Sequence, residues 1–309
     1  MSGMHRDRLN TSRDGVPAGH RRFRLIFQLA AAVLFNGYLV GFAKGRIYTG
    51  DLKNLCVPVL NCHACPGALG SCPIGSMQTV LGGARHRFSF YVLGLLMVFG
   101  IVLGRLWCGF VCPFGLIQDL LGMIPARRIR VAPKIDKPLR YVKYAVLLIF
   151  VILLPMVAKN RYGIADAWFC KYICPAGTLE GGIPLMLADK KLRALAGALF
   201  SWKMLILIVI LIGAVLIPRF FCRYLCPLGA LYGLFNKYSF YQLNLDQTRC
   251  TGCHTCAQVC PMAVDLPTTG GGLAQISSTE CIRCGRCKAA CPAGAISVKG
   301  LRNEALYRN

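Results

Sequence analysis

Charge is scarce in this sequence, and acidic charge is scarcest. Only 16% of the 309 residues are charged and just 12 are acidic, where soluble domains carry about 25% charged residues. With 55% hydrophobic residues and a mean hydropathy of +0.52, that deficit argues against one large soluble core and for a bilayer. Histidine is rare as well. His5, His20, His63, His86 and His254 do not sit as facing pairs within apolar runs, which argues against a haem b site. No Walker A and no complete G-x-G-x-x-G motif opens a helix, and Gly270-Gly271-Gly272 reads as a turn. Nucleotide binding therefore has no support.

Positive charge is not lacking: 36 Lys and Arg give a formal net charge of +24. Such an excess attracts phosphates, yet the residues crowd into two places that abut apolar runs. These are the N-terminus (Arg21, Arg22, Arg24) and a loop (Arg127, Arg128, Arg130, Lys134, Lys137). Basic loops flanking membrane spans are what the positive-inside rule expects. A nucleic-acid partner is not expected.

Four apolar runs are candidate spans: Phe23–Ala43, Phe88–Leu106, Tyr141–Ala158 and Met204–Pro218. A spanning helix needs about 20 apolar residues, so the last requires help from Leu199, Phe200, Trp202, Phe220 or Phe221. Ile173–Ala188 is mixed and Gly-rich, and reads as a re-entrant or interfacial stretch sheltered by protein. The first run is too long for the core of a signal peptide and no A-x-A site follows it, so an uncleaved helix is expected. Loop charge then puts the N-terminus and everything after the fourth span in the cytoplasm. Residues 1–22 form a basic leader, 23–240 a membrane domain, 241–300 a cysteine-dense module and 301–309 a polar tail.

Eighteen cysteines would suit a disulfide scaffold only in a small secreted chain. Here they cluster beside prolines, as metal-bound thiolates do. Cys250-x2-Cys253-x2-Cys256-x3-Cys260-Pro261 is followed by Cys281-x2-Cys284-x2-Cys287-x3-Cys291-Pro292. Zinc favours groups of four built from C-x-x-C pairs separated by a longer loop, which these runs fit poorly. Cys250-Thr-Gly-Cys253-His254 also satisfies the c-type haem motif C-x-x-C-H, but both cysteines already belong to the first run.

The two runs resemble the bacterial two-cluster ferredoxin. In that family the fourth cysteine of each run serves the other [4Fe–4S] cluster. The resemblance therefore implies one cluster on Cys250, Cys253, Cys256 and Cys291, and a second on Cys281, Cys284, Cys287 and Cys260, within a small α+β domain.

Further motifs repeat through the apolar part: Cys108-x3-Cys112-Pro-Phe-Gly, Cys170-x3-Cys174-Pro-Ala-Gly and Cys222-x3-Cys226-Pro-Leu-Gly. A looser copy is Cys65-x6-Cys72-Pro-Ile-Gly, preceded by Cys56 and Cys62. Proline discourages a continuing helix, and the glycine is expected to permit a sharp turn. With these motifs the chain resembles the NapH/MauN-type membrane polyferredoxins and the membrane half of NosR-like proteins, which join C-x3-C-P motifs at span ends to a ferredoxin domain. The motifs at Cys62–Cys72 and Cys170–Cys174 go beyond the simplest such pattern.

Spans one and two with their motifs look like a parallel repeat of spans three and four. Under that symmetry Cys108 and Cys112 meet Cys222 and Cys226 on the cytoplasmic side. Cys65 and Cys72, or Cys62, meet Cys170 and Cys174 on the outer side. Each group has the thiolates for one further iron–sulfur cluster; redox-active dithiols, or disulfides in the outer set, are the alternatives. The hydrocarbon core is about 30 Å thick, so either the motifs dip inward or a quinone or other cofactor bridges the gap. Asp166, Glu180 and Asp189 lie near the outer cysteines and read as exposed loop carboxylates.

The expected fold is thus an α-helical membrane protein of about four transmembrane helices with a C-terminal ferredoxin domain, in the inner membrane. The expected role is an electron carrier between a cytoplasmic or quinone donor and a partner oxidoreductase. An assembly or regulatory iron–sulfur factor for a partner enzyme is the alternative, which the resemblance also allows.

Overall fold

The computed structural model describes residues 15–83, 90–129, 131–161, 164–194, 196–267 and 271–298. The tail at 301–309 and most of the basic leader lie outside these residues, as does Arg130. The chain is mostly helical up to Phe235, and its strands come only afterwards.

Among the described residues, two helices are long and apolar enough to cross a bilayer: Pro133–Val157 and Ala198–Leu216. At 1.5 Å per residue the second is about 28 Å long, close to the hydrocarbon thickness. It takes its extra length from Leu199, Phe200 and Trp202 at the N-terminal end, while Phe220 and Phe221 start a separate helix. The other two expected spans differ. Phe90–Leu103 is a shorter apolar helix, and residues 84–89 before it lie outside the description.

The first run is divided into helices Ala18–Phe35 and Leu39–Lys44. At the break Asn36 folds back to donate to the Ala32 carbonyl. The first of these helices turns a polar face inward, burying Arg24 and Gln28. Arg24 is therefore no free topology charge: it is paired with Asp119. The stretch expected to be re-entrant is helical over residues 175–188, with a wider π-helical section at Gly177–Gly182.

The C-terminal module begins where Phe240 and Tyr241 donate backbone hydrogen bonds to Ile101 and Val102, at the end of helix Phe90–Leu103. β1 (Leu243–Asp246) is the central strand of a three-stranded antiparallel sheet. β2 (Leu273–Gln275) pairs with it through Leu245–Ala274, and β3 (Ile296–Val298) through Asn244–Ser297. Alternate residues Leu243 and Leu245 pack with Ile276, Ala295 and Ile296 into a small core of their own.

Buried ion pairs fasten this module to the helices. Glu280 receives Lys143, and Arg105 at 3.4 Å. Arg283 reaches back to the Leu103 and Asn236 carbonyls. Two glycines permit the close approach: a Cβ at Gly233 would lie 2.7 Å from the Thr279 carbonyl, and one at Gly109 would collide with that of Ile282.

Candidate metal centres

Three of the Cys-Pro motifs share one local structure. Leu106–Phe110, Trp168–Tyr172 and Phe220–Tyr224 are single helical turns that carry Cys108, Cys170 and Cys222. The helix then breaks, and Cys112 and Cys226 adopt extended backbone with ψ of 120° and 110°. Proline opens the next helix, at a position whose N–H would find no partner and whose φ it already holds. The second cysteine thus caps a helix N-terminus, where partial positive charge collects, and Cys226 Sγ accepts a hydrogen bond from the Gly229 N–H at 3.3 Å.

The motif glycine does not make a turn. Gly75, Gly115, Gly177 and Gly229 all lie inside helical segments, and none has positive φ. What the missing Cβ provides at two of them is space for a guanidinium. A Cβ at Gly115 would lie 2.9 Å from Arg219 Nη1, and one at Gly229 would lie 3.0 Å from Arg105 Nη2.

Cys108, Cys112, Cys222 and Cys226 line one cavity with Val59, Leu60, Phe114, Phe221 and Leu228. All four are buried. Arg105 and Arg219, each three residues before the first cysteine of its motif, cross over to the other motif. Arg105 donates to the Cys222 carbonyl at 3.2 Å, and Arg219 donates to the Cys108 carbonyl at 2.5 Å. Both guanidiniums are almost fully buried. Arg105 lines this cavity and shares Glu280 with Lys143, while Arg219 shares the carboxylate of Asp119 with Arg24 and Arg286, which line a separate cavity beside it. Five cations thus face two carboxylates.

Gln118 repeats the crosswise pattern on sulfur. Its Nε2 donates to Cys222 Sγ at 3.1 Å, and its Oε1 accepts from the Phe221 N–H at 3.1 Å. Gln78 does the same for the other group, donating to Cys170 Sγ at 3.4 Å and accepting from the Phe169 N–H at 2.9 Å.

Around that second group, Cys174 lies within electrostatic range of Cys170, Cys62 and Cys72. Cys62 Sγ is 3.3 Å from where a Cβ of Gly181 would stand. Cys65 faces elsewhere, its thiol directed at Asn36 Oδ1 3.6 Å away. Of the residues between which sequence spacing could not choose, the structure brings Cys62 and Cys72 to Cys170 and Cys174. Cys56 stands apart against Ser76.

Of the three carboxylates near this group, Asp166 is exposed and paired with Lys171, as a surface residue should be. Glu180 is different. Its Oε2 accepts from the Cys62 N–H at 3.0 Å, while its Oε1 is shielded and has no partner. It belongs to a helix and points at the thiols.

In the C-terminal module, Cys250, Cys253, Cys256 and Cys291 line one cavity with Leu245, His254 and Ile296. Cys287 lies within electrostatic range of Cys284, Cys281 and Cys260. Each group contains three cysteines of one run and the fourth of the other. Burial pushes the Cys281 thiol up to about 12. The exposed Cys253 thiol is lowered by the Thr255 hydroxyl and backbone N–H, so its thiolate forms more readily.

The donor sets fit iron–sulfur clusters. All eighteen cysteines are free thiols, and sixteen of them form these four groups of four. Among the described residues, no three His, Cys, Asp or Glu side chains converge closely enough to grip one metal ion. The buried cations suit a group whose thiolates bring net negative charge. Two of the groups approach each other: a Cβ at Gly109, next to Cys108, would lie 3.6 Å from Cys284 Cα. Tyr232 lies within electrostatic range of Cys108 and Cys112 of one group and of Cys72 of another, as well as of Cys56.

Sequence reasoning missed the residues that serve the sulfurs. The signals were present: R-x-x-C-x3-C-P at Arg105 and Arg219, and C-P-x-G-x-x-Q ending at Gln78 and Gln118.

Comparison with known proteins finds iron–sulfur domains over the same parts of the chain. A 4Fe-4S binding domain family matches three times, at residues 88–132, 144–188 and 200–243. A 4Fe-4S dicluster domain family matches residues 249–296. An uncharacterized protein of Methanocaldococcus jannaschii is 26% identical, over 72% of this chain and 76% of its own length. The ferredoxin-type protein NapH of Haemophilus influenzae is 25% identical over 87% of this chain and 85% of its own. The methylamine utilization ferredoxin-type protein MauN of Methylobacillus flagellatus is 26% identical over 78% and 76%. No solved structure matches the chain.

Proposed function

Because the chain is a NapH/MauN-type polyferredoxin, an iron–sulfur electron-transfer protein, we propose that it works within the membrane. There it passes electrons between a cytoplasmic or quinone donor and a partner oxidoreductase. The observation that carries this reading is the gathering of sixteen cysteines into four four-thiol groups, from the exposed Cys253 to the group around Cys174. Exposed Leu205, Ile208, Val209 and Ile212 on helix Ala198–Leu216 support a lipid setting, because a core helix of a soluble protein would hide them.

The ferredoxin groups would hold two [4Fe–4S] clusters, and the groups at Cys108, Cys112, Cys222, Cys226 and at Cys62, Cys72, Cys170, Cys174 would hold two more. Clusters in these places supply one-electron carriers. The protein's own part is to offset their charge and direct hydrogen bonds at sulfur. Arg105 and Arg219 do the first for the inner membrane group, and Gln118 and Gln78 do the second.

Anaerobically purified full-length protein should contain about sixteen irons per chain. Cys222→Ser should remove about four of them while the ferredoxin EPR signals persist. About eight irons in the wild type, unchanged by Cys222→Ser, would end the membrane-site assignment. A deletion strain tests the role itself: an intact but electron-starved partner enzyme supports a conduit, and a metal-deficient one means assembly.

A further inference from the structure

Six residues beyond the second cysteine, the four Cys-Pro motifs place Gln78, Gln118, Glu180 and Tyr232. Three of these make one kind of contact. Each reaches across to the facing motif and bonds at, or just before, its first cysteine: Gln78 at Cys170 and Phe169, Gln118 at Cys222 and Phe221, Glu180 at the Cys62 N–H. By the same pseudo-twofold relation the counterpart of Tyr232 is Cys108, the first cysteine of the motif opposite its own, and Cys108 lies within electrostatic range of it, as do Cys72, Cys56 and Cys112.

Tyr232 nevertheless has no partner. It is fully buried, its hydroxyl makes no hydrogen bond, and it belongs to the same core as the inner thiols and Cys72 and Cys174. Burying a hydroxyl without a partner is costly, so an O–H kept in this place calls for an acceptor. The equivalent glutamines find theirs on sulfur.

We propose that Tyr232 is a positioning residue whose hydroxyl donates a hydrogen bond to sulfur of the iron–sulfur group held by Cys108, Cys112, Cys222 and Cys226, and so sets its reduction potential. A donor aimed at sulfur stabilises the more negative, reduced state, which raises the potential. The proposal rests on the membrane-site reading above, and the two fail differently.

Tyr232→Phe removes the oxygen and keeps the ring. In full-length, iron-loaded protein, the expected result is an unchanged iron content and unchanged ferredoxin signals. One membrane signal should shift its midpoint to more negative potential and lack the one exchangeable-proton coupling that the wild type loses on transfer to D2O. An unmoved midpoint with the coupling retained would overturn the proposal, as would a shift confined to the ferredoxin signals. Loss of iron from the inner group would also overturn it, by assigning Tyr232 to cluster retention. Wild-type protein lacking any membrane signal would instead sink the reading beneath it, and that is known before the variant is made.

Discussion

The thiols around Cys250 and those around Cys108 offer the same four ligands in opposite surroundings. In the first group Cys253 is exposed and its partners are half-buried. Water and the Thr255 hydroxyl, 3.4 Å from Cys253 Sγ, can stabilise charge there. In the second group all four thiols are buried, and the work falls to Arg105, Arg219 and their neighbours. Burying a charged group without compensation is costly, so this group needs its cations built into the fold. Ligand count alone therefore does not describe a site; the source of its counter-charge does.

The sharpest way to test that contrast is to disturb the counter-charge. Asp119 holds Arg24, Arg219 and Arg286 together in a buried cluster. Asp119→Asn leaves them facing one another, and breaking such a pair costs about 3–5 kcal/mol. Thermal unfolding in detergent should show that loss, greater in iron-free protein than in loaded protein if a negative group occupies the neighbouring cavity. Equal losses in the two forms would break the link between the arginines and the inner group. Asp246→Asn, at an exposed ferredoxin pair with Arg249, should leave the melting curve in place.

The same contrast governs what the sequence made legible. The ferredoxin groups could be read directly, because C-x2-C-x2-C-x3-C-P puts three ligands on one short loop and a known resemblance supplies the fourth. The inner membrane group was legible through the repeat of C-x3-C-P, although its halves lie more than a hundred residues apart. The outer group was only half legible: spacing could not choose Cys62 over Cys65, since the choice depends on how the chain folds over residues 177–188. Helix boundaries were less readable still. Phe23–Ala43 is apolar by composition, yet Arg24 and Gln28 give it an inward polar face and Asn36-Gly37-Tyr38 interrupts it. Glu180 reads from sequence as an exposed loop carboxylate and Tyr232 passes unnoticed, because their placement depends on register within a helix, which composition does not reveal.

A smaller effect is expected where the two regions touch. The backbone at Gly109 meets the Ile282 carbonyl so closely that any side chain would intrude. Gly109→Ala should cost about 1–3 kcal/mol, as overpacking does, and should loosen the module from the helices without removing a ligand. Faster amide exchange around Ile282 and Arg283, with unchanged iron, is the expected outcome. Weaker magnetic coupling between the inner group and the cluster near Cys284 should accompany it. Unchanged exchange would mean that the module does not depend on this contact.

The smallest effect belongs to the outer edge of the molecule. Asp166 pairs with Lys171 across side chains that remain 53% and 38% exposed, and such pairs contribute about 0–1 kcal/mol. Asp166 is also only four residues from Cys170, so sequence proximity alone would give it a share in the outer group. The structure gives that place to Glu180, whose carboxylate accepts from the Cys62 N–H, and turns Asp166 toward solvent. Asp166→Asn should therefore leave both the melting temperature and the outer-group EPR signal unmoved, and added salt should abolish any small difference. A changed signal would mean that the outer group draws counter-charge from the surface, as the ferredoxin does, and the division between buried and exposed sites would have to be redrawn.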